Sequence, residues 1–378
     1  MENPFLFGNV VKGDYFTNRE DELKTLTLDL SSGQNVLLFS PRRYGKTSLI
    51  IRVLDELKAK GLICVYVDFF RAASLQALGK IYADALTRAA ASKIEEAIQF
   101  VHSHFPTIIP RITVKGQDSP DFELDFDVPR QDMDKWLDEI YDMPQRIAER
   151  KKKRLVVVLD EFQEAANLGE AGTVERSLRA KIQHHDQVSY VFMGSKRHLL
   201  DELFADKNKP LYRIAKSMPL GKIAKEKLAS FIRSRFHSVK MDIDPACIDR
   251  ILEISGCHSY YTQQLCHEAY NMTVPQKQVT EENILKALKQ CIAAQSYAYT
   301  TLWDGLAGKQ RELVVALSKL PGSNVYSKEF IDRFNLGSTS SIQTAIDALE
   351  KKGIIDRENG GFVLSDIFFI QWVKKKIA

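Results

Sequence analysis

The sequence predicts an α/β protein: an open parallel sheet flanked by helices, then an all-helical stretch, then a small helix-and-hairpin end. Three observations carry this. An apolar strand, Asn35 to Ser40, turns through a short Gly-containing loop into an amphipathic helix, Lys46 to Lys58. A wholly aliphatic strand, Leu155 to Leu159, ends in the acid pair Asp160-Glu161. From residue 221 strand patterns give way to helical periodicity, until Gly353 to Asp366 read as a two-stranded hairpin.

The first element pair carries chemistry. In its helix Leu49, Ile50, Val53, Leu54 and Leu57 recur at helical spacing. Strand, turn and helix with Gly45-Lys46-Thr47 at the joint are the setting of a phosphate-binding loop. The backbone N–H groups of the turn and the helix N-terminus face anionic oxygens there. Gly45 lets the backbone approach closely, Lys46 reaches the β- and γ-phosphates, and the Thr47 hydroxyl ligates magnesium. Pro41, Arg42, Arg43, Tyr44 and Ser48 complete the candidate cofactor-binding set. Ser40 stands where the usual pattern has its first glycine. Pro41 biases it toward an extended conformation, so Ser40 is expected to end the strand without a positive φ. The Gly-Lys-Thr triplet alone is common by chance; the flanking strand and helix give it weight.

The second element supplies the other half. Five consecutive aliphatics suit a central parallel strand. Asp160 falls at its C-terminal end, where open α/β sheets bind ligands. Asp160 is expected to hold magnesium through water, and Glu161 to polarise an attacking water. Such a set works by positioning and electrostatics, as phosphoryl transfer requires.

Composition sets the limits. The 378 residues allow two or three domains, and 44% hydrophobic with 27% charged residues is ordinary for a soluble protein. A net charge of +4 permits nucleic-acid contact without arguing for it. No apolar run reaches membrane-spanning length, and the first residues lack the basic flank and apolar core of a signal peptide. Five scattered cysteines, an odd number in a long chain, fit reduced thiols in a cytoplasm. Cys257-His258 and Cys266-His267 suggest zinc, but nine residues put the cysteines on opposite sides of one helix. A cytoplasmic protein with no membrane partner is expected.

Between the two motifs, residues 63 to 69 read as a strand and 73 to 104 as mostly helical. Residues 110 to 126 alternate apolar and polar around Gln117-Asp118-Ser119-Pro120, a hairpin signature. A helix over 131–150 follows, closed by the basic run Arg150 to Arg154.

Residues 305 onward read as three short helices, a two-stranded wing around Asn359-Gly360-Gly361, and a last helix in which Phe368, Phe369 and Trp372 pack back. That is a winged-helix pattern. Its third helix could enter a DNA major groove with Thr339, Gln343, Lys351 and Lys352 as candidate nucleic-acid contacts. The helix lacks arginine, and a protein partner stays open.

Phe16 to Leu26, Ser40 to Ile50, Val156 to Ala165, Val191 to Leu200 and Gly256 to Cys266 occur in a familiar order. On these residues the chain resembles the archaeal-type ATPases of the AAA+/STAND branch of P-loop proteins. It is similar, over nearly its whole length, to the archaeal origin-recognition initiators. The resemblance implies an AAA+ P-loop domain over 1–220 with a hairpin insertion at about 105–130, a helical lid over 221–304, and a winged helix over 305–378. It implies ATP/ADP rather than GTP as nucleotide, with Mg2+. Phe16 would lie near the adenine, Arg19 would brace the base of the domain, and Tyr260 would open the lid helix that faces the nucleotide. Ser195, after the strand Ser189 to Met193, matches the sensor-1 position; it could equally cap the helix Lys196 to Leu203. Arg213 stands where such proteins often carry an arginine finger, with Arg197 as runner-up, and either could be a surface cation. No arginine stands at the sensor-2 place.

Three functions fit: a magnesium-dependent ATPase that drives a conformational switch, with action on DNA left open; a slowly hydrolysing, nucleotide-gated switch or scaffold whose partner is DNA or another protein, bound through the winged helix; and a DNA-binding regulator with a structural nucleotide. A homo-oligomer also stays open. The acid at Glu161 argues against the third.

Overall fold

The computed structural model describes residues 2–11, 13–16, 18–91, 96, 99, 111–114, 122–125, 128–129, 132–169, 172–274, 277–358 and 360–377. Its contacts form two compact units. One comprises Arg19–Ser40 and Lys46–Gly221; the other comprises Met1–Asn18, Pro41–Gly45 and Lys222–Ala378. The boundary expected at 220 is thus joined by two short segments, 1–18 and 41–45, that pack with the C-terminal part.

The sheet unit opens with α1 (Glu20–Ser32) and then alternates: β1 (Val36–Phe39), α2 (Lys46–Ala59), β2 (Ile63–Asp68), α3 (Leu75–Ala90). A hairpin of β3 (Arg111–Val114) and β4 (Phe122–Asp125) precedes α4 (Met133–Lys151). The unit closes with β5 (Leu155–Asp160), α5 (Thr173–Ile182), β6 (Val188–Gly194), α6 (Arg197–Phe204) and β7 (Lys216–Pro219). Five strands form one sheet in the order β2-β5-β6-β1-β7, every neighbour parallel. This parallel pairing, with helices as crossovers, is what the aliphatic strands predicted. The hairpin is antiparallel, with Ile112 opposite Leu124; its expected turn, and most of residues 92–104 into which α3 was expected to run, lie outside the described residues.

Burial follows the pattern of the sequence. All six residues of β5 and all seven of β6 are buried. Val65, Val67, Val157, Leu159, Tyr190 and Phe192 build a core with Tyr82 and Leu86 of α3 and with Trp136, Ile140 and Tyr141 of α4. Gly79 sets the spacing of these two helices, since a Cβ there would lie 2.3 Å from the Trp136 ring.

The helical unit contains α7 (Lys225–Ser238), β8 (Asp242–Ile243), α8 (Pro245–Ser255), α9 (Ser259–Thr273), β9 (Gln278–Val279), α10 (Glu281–Ala294) and α11 (Ser296–Asp304). Then come α12 (Gly308–Lys319), α13 (Lys328–Phe334), α14 (Thr339–Lys351), the wing strands β10 (Ile355–Glu358) and β11 (Gly361–Leu364), and α15 (Ile367–Ile377). The wing pairs Ile355 with Leu364 and Glu358 with Gly361. Ser327 and Ser338 cap α13 and α14 with their side chains. One continuous core runs from Phe231, Ile251 and Leu265 to Leu313, Ile346 and Phe368.

The N-terminal segment belongs to this core. Phe5 is buried against Phe236, with ring centroids 4.7 Å apart. Arg235 Nε donates to Pro4 O at 2.8 Å, and His267 Nδ1 to Phe5 O at 2.8 Å. Among the described residues no helix is long and apolar enough to cross a membrane.

Candidate active site

In the sheet unit β1 ends at Phe39, and Ser40 follows, buried, with a φ outside the left-handed region. Ser40 thus takes no positive φ, as expected before Pro41. Lys46 opens α2 and is only 7% exposed. Its ammonium donates to Ser40 O at 3.0 Å. Thr47 borders a cavity of about 270 Å3, lined also by Ile51, Leu54, Asp55, Lys58 and Tyr66. Ser48, in the same turn, is buried.

Asp160 ends β5 and is 8% exposed. Its Oδ1 accepts from the Glu161 backbone N–H at 2.8 Å, and its Oδ2 from the Tyr66 hydroxyl on the neighbouring strand. Burial, the largest influence, raises the Asp160 carboxyl above the ordinary carboxylate range; the Tyr66 bond opposes this, Glu161 adds to it, and Lys46 opposes it. The donors here are hard oxygens, Thr47 hydroxyl and Asp160 carboxylate, the kind magnesium takes. A buried carboxylate at the end of β5 fits a cation as well.

Glu161 has φ 48° and ψ 42°, left-handed for a residue with a side chain. Its Oε2 accepts from Ser195 Oγ at 2.9 Å and also from Gln163 Nε2. Ser195 is therefore engaged with the acid. The residue preceding α6 is Lys196, with no side-chain cap, so the reading of Ser195 as the cap falls away. Gln163 was not foreseen. The available signal was a Glu-x-Gln just past a strand end, facing Gly194-Ser195 at the end of the adjacent strand.

The other candidates of this unit lie elsewhere in it. Arg19 is buried, its guanidinium donating to Glu22 at 2.7 Å and to Gly221 O at 2.6 Å, the position of a brace. Arg213 is exposed, has φ 54°, and lies over the Tyr212 ring. Arg197 lies over the Phe39 ring at 5.4 Å.

In the helical unit, the loop residues Pro41–Gly45 meet the start of α9. Arg43 has φ 67°, and Gly45 has φ 89°. The Arg43 guanidinium donates to Tyr261 OH at 2.9 Å, lies 4.5 Å from the Tyr260 ring centroid, and reaches Asp366 at 3.5 Å. Ser259 Oγ donates to Arg43 O at 3.2 Å. Tyr44 stacks edge-on against His258, and burial, reinforced by Lys222, pulls that imidazole down to about 3. Arg42 is exposed, and Phe16 is half-buried with its N–H donating to Gly13 O.

On the winged helix Thr339 and Lys351 are exposed. Gln343 accepts from Tyr326 OH and donates to Asp347. Lys352 donates to Gly305 O at 3.0 Å and to Gln310 at 3.2 Å.

A strand–loop–helix with a buried lysine, on a parallel sheet in which β5, one strand removed from β1, ends in a buried acid followed by a second acid, defines a P-loop nucleotide-binding ATPase. The model of the ATPase domain predominantly from Archaea matches residues 16–265, and that of a probable winged helix domain matches 297–375. The chain belongs to that archaeal-type ATPase family. Among solved structures, the Walker-type ATPase of Pyrococcus abyssi is similar at TM-score 0.69 with 16% identity, covering 98% of this chain and 99% of that one. The Aeropyrum pernix Orc2 protein, in its ADPNP–ADP complexes, is similar at TM-score 0.57 with 15% identity, covering 99% and 98%. The Aeropyrum pernix Orc1 protein, in complex with DNA, is similar at TM-score 0.52 with 14% identity, covering 100% and 98%. At these identities the likeness is one of fold. No curated protein matches the sequence.

Proposed function

We propose that this protein is a magnesium-dependent ATPase of the AAA+/STAND type whose nucleotide state sets the arrangement of its helical and winged-helix parts. The observation that carries the coupling is Arg43: a residue of the phosphate loop bound to Tyr261 of α9 and to Asp366 at the start of α15. The proposal keeps the division into a P-loop domain over 1–220, a lid over 221–304 and a winged helix over 305–378.

Lys46 binds the β- and γ-phosphates of ATP, while the loop 41–45 and Ser48 cradle them. Thr47 and Asp160 hold magnesium, which when bound spreads the charge of the phosphoryl group. Phe16 and Tyr260 take the adenosine end, and Arg213 serves a neighbouring copy. Glu161 takes a proton from water as the water oxygen bonds to the γ-phosphorus. The bond to the β–γ bridging oxygen breaks, ADP leaves with the electron pair, and the proton passes to solvent.

The winged helix could engage duplex DNA through Thr339, Gln343 and Lys351. A protein partner is the second reading, favoured by a specific observation. The exposed face of α14 carries Asp347, and Lys352 is committed to Gly305 and Gln310. The test is ATP binding and turnover with and without duplex DNA. Lys46→Ala should abolish binding; Glu161→Gln should bind ATP and hardly turn it over. Unchanged affinity in the first would sink the site. Turnover that ignores DNA at low salt, with no DNA retained, would move the winged helix to the protein reading.

A further inference from the structure

Gln163 is 1% exposed, yet it is an amide in a hydrophobic core. It reaches Glu161 because the chain kinks there. The left-handed turn at Glu161 starts a 3-10 helix over Phe162–Asn167, which brings the i+2 side chain back toward the acid. Its Nε2 donates to Glu161 Oε2, the same oxygen that accepts from Ser195 at 2.9 Å. Among the described residues no donor meets the other oxygen, Oε1.

Two features show what this contact costs. Gln163 Oε1 has no hydrogen-bond partner among the described residues. A buried orphan acceptor is unfavourable by about 1–3 kcal/mol. Rotating the amide by half a turn would set its oxygen against the carboxylate, so the orientation is fixed by the acid. Gly194 makes room for it: a Cβ at that position would lie 2.1 Å from Gln163 Oε1. Strain and an unmet acceptor kept in a buried place point to function rather than stability.

We propose that Gln163 is a positioning residue for the ATPase reaction. With Ser195 it pins Oε2 of Glu161, which leaves Oε1 as the oxygen that receives the proton of the attacking water. Gly194 is the permissive neighbour. The inference rests on Glu161 being the water-activating acid.

The experiment measures steady-state ATP turnover and ATP affinity on the full chain for Gln163→Leu, Gln163→Glu, Glu161→Gln and the Glu161→Gln/Gln163→Leu double variant. Gln163→Leu should lower kcat on the order of tenfold or more, as loss of an aligned group does, with KM and ATP affinity little changed. The double variant should be no slower than Glu161→Gln alone. Gln163→Glu keeps the length of the side chain but cannot donate to Glu161, so it should lower kcat as Gln163→Leu does, with KM and ATP affinity little changed. A merely structural side chain would show its loss in the melting temperature and leave kcat per folded molecule near wild type, and this variant decides the matter if Gln163→Leu fails to fold. Near-normal kcat in both Gln163→Leu and Gln163→Glu, beside an inactive Glu161→Gln, would overturn the proposal and leave the acid assignment standing. Full turnover in Glu161→Gln would overturn both.

Discussion

Replacing Arg43 tests the link between the phosphate loop and the C-terminal core. Arg43→Ala removes a charge-assisted hydrogen bond of 2.9 Å to Tyr261 and a cation–π contact with the ring centroid at 4.5 Å. It also removes a 3.5 Å ion pair with Asp366 whose partners are 44% and 26% exposed. At this exposure the hydrogen bond contributes about 1 kcal/mol, the ring contact about 0.5–1, and the ion pair about 0–1. Arg43→Ala should therefore destabilise the helical unit by about 2 kcal/mol, or about 4–8 °C for a unit of this size. Arg43 sits at φ 67°, where alanine keeps the strain and glycine loses it. The left-handed region costs a side-chain-bearing residue about 1–2 kcal/mol; glycine gives back about 0.4–1 through its looser unfolded chain. Arg43→Gly should then be the milder variant by roughly 0.5–1 kcal/mol. Differential scanning calorimetry reads this best, because it can separate the transitions of two units. A wild-type midpoint for Arg43→Ala, or a glycine variant less stable than the alanine one, would refute the reasoning.

Two further predictions concern pH. Burial, the main influence, raises the Asp160 carboxyl. Between its unfolded and folded values the folded chain holds more protons, so its contribution turns unfavourable as pH rises and stays so at neutrality. Asp160→Asn should raise the ligand-free melting temperature at pH 7, with the gap closing toward acid pH; a lower melting temperature at pH 7 would contradict this. His258, lowered to about 3 chiefly by burial, behaves oppositely. Between about 6.5 and 3 the unfolded chain binds the extra proton, so stability is lost as pH falls. Thermal unfolding of His258→Gln from pH 7 to 4.5 should show a shallower decline than wild type, and equal slopes would count against it.

The site was legible where chemistry and chain order coincide. Lys46, Thr47, Asp160 and Glu161 lie at strand and helix ends that apolar patterning marks. Ser40 was legible too, since a following proline disfavours the helical region. The left-handed Arg43 was not: arginine carries no turn signature, and the groups around its side chain, such as Tyr261, lie 218 residues away. Ser195 left two readings open because a hydroxyl after a strand serves as a cap or as a partner; only the position of Glu161 decides. Gln163 escaped because the direction of its side chain depends on a single backbone kink. The packing of Phe5 on Phe236 escaped as well, since an apolar pair near a terminus names no partner.

That packing has a consequence for synthesis. The sheet unit is complete once residue 221 has left the ribosome. Pro4, however, meets Arg235 only 231 residues later, a wait of about 10–50 s at typical elongation rates of about 5–20 residues per second. Until then Phe5 has no core to enter, and Phe7 waits longer, for Tyr260 and His267. Residues made before the sheet unit are thus satisfied only after it is complete. A chaperone that covers them on the nascent chain would act on a segment whose refuge is translated 231 residues later.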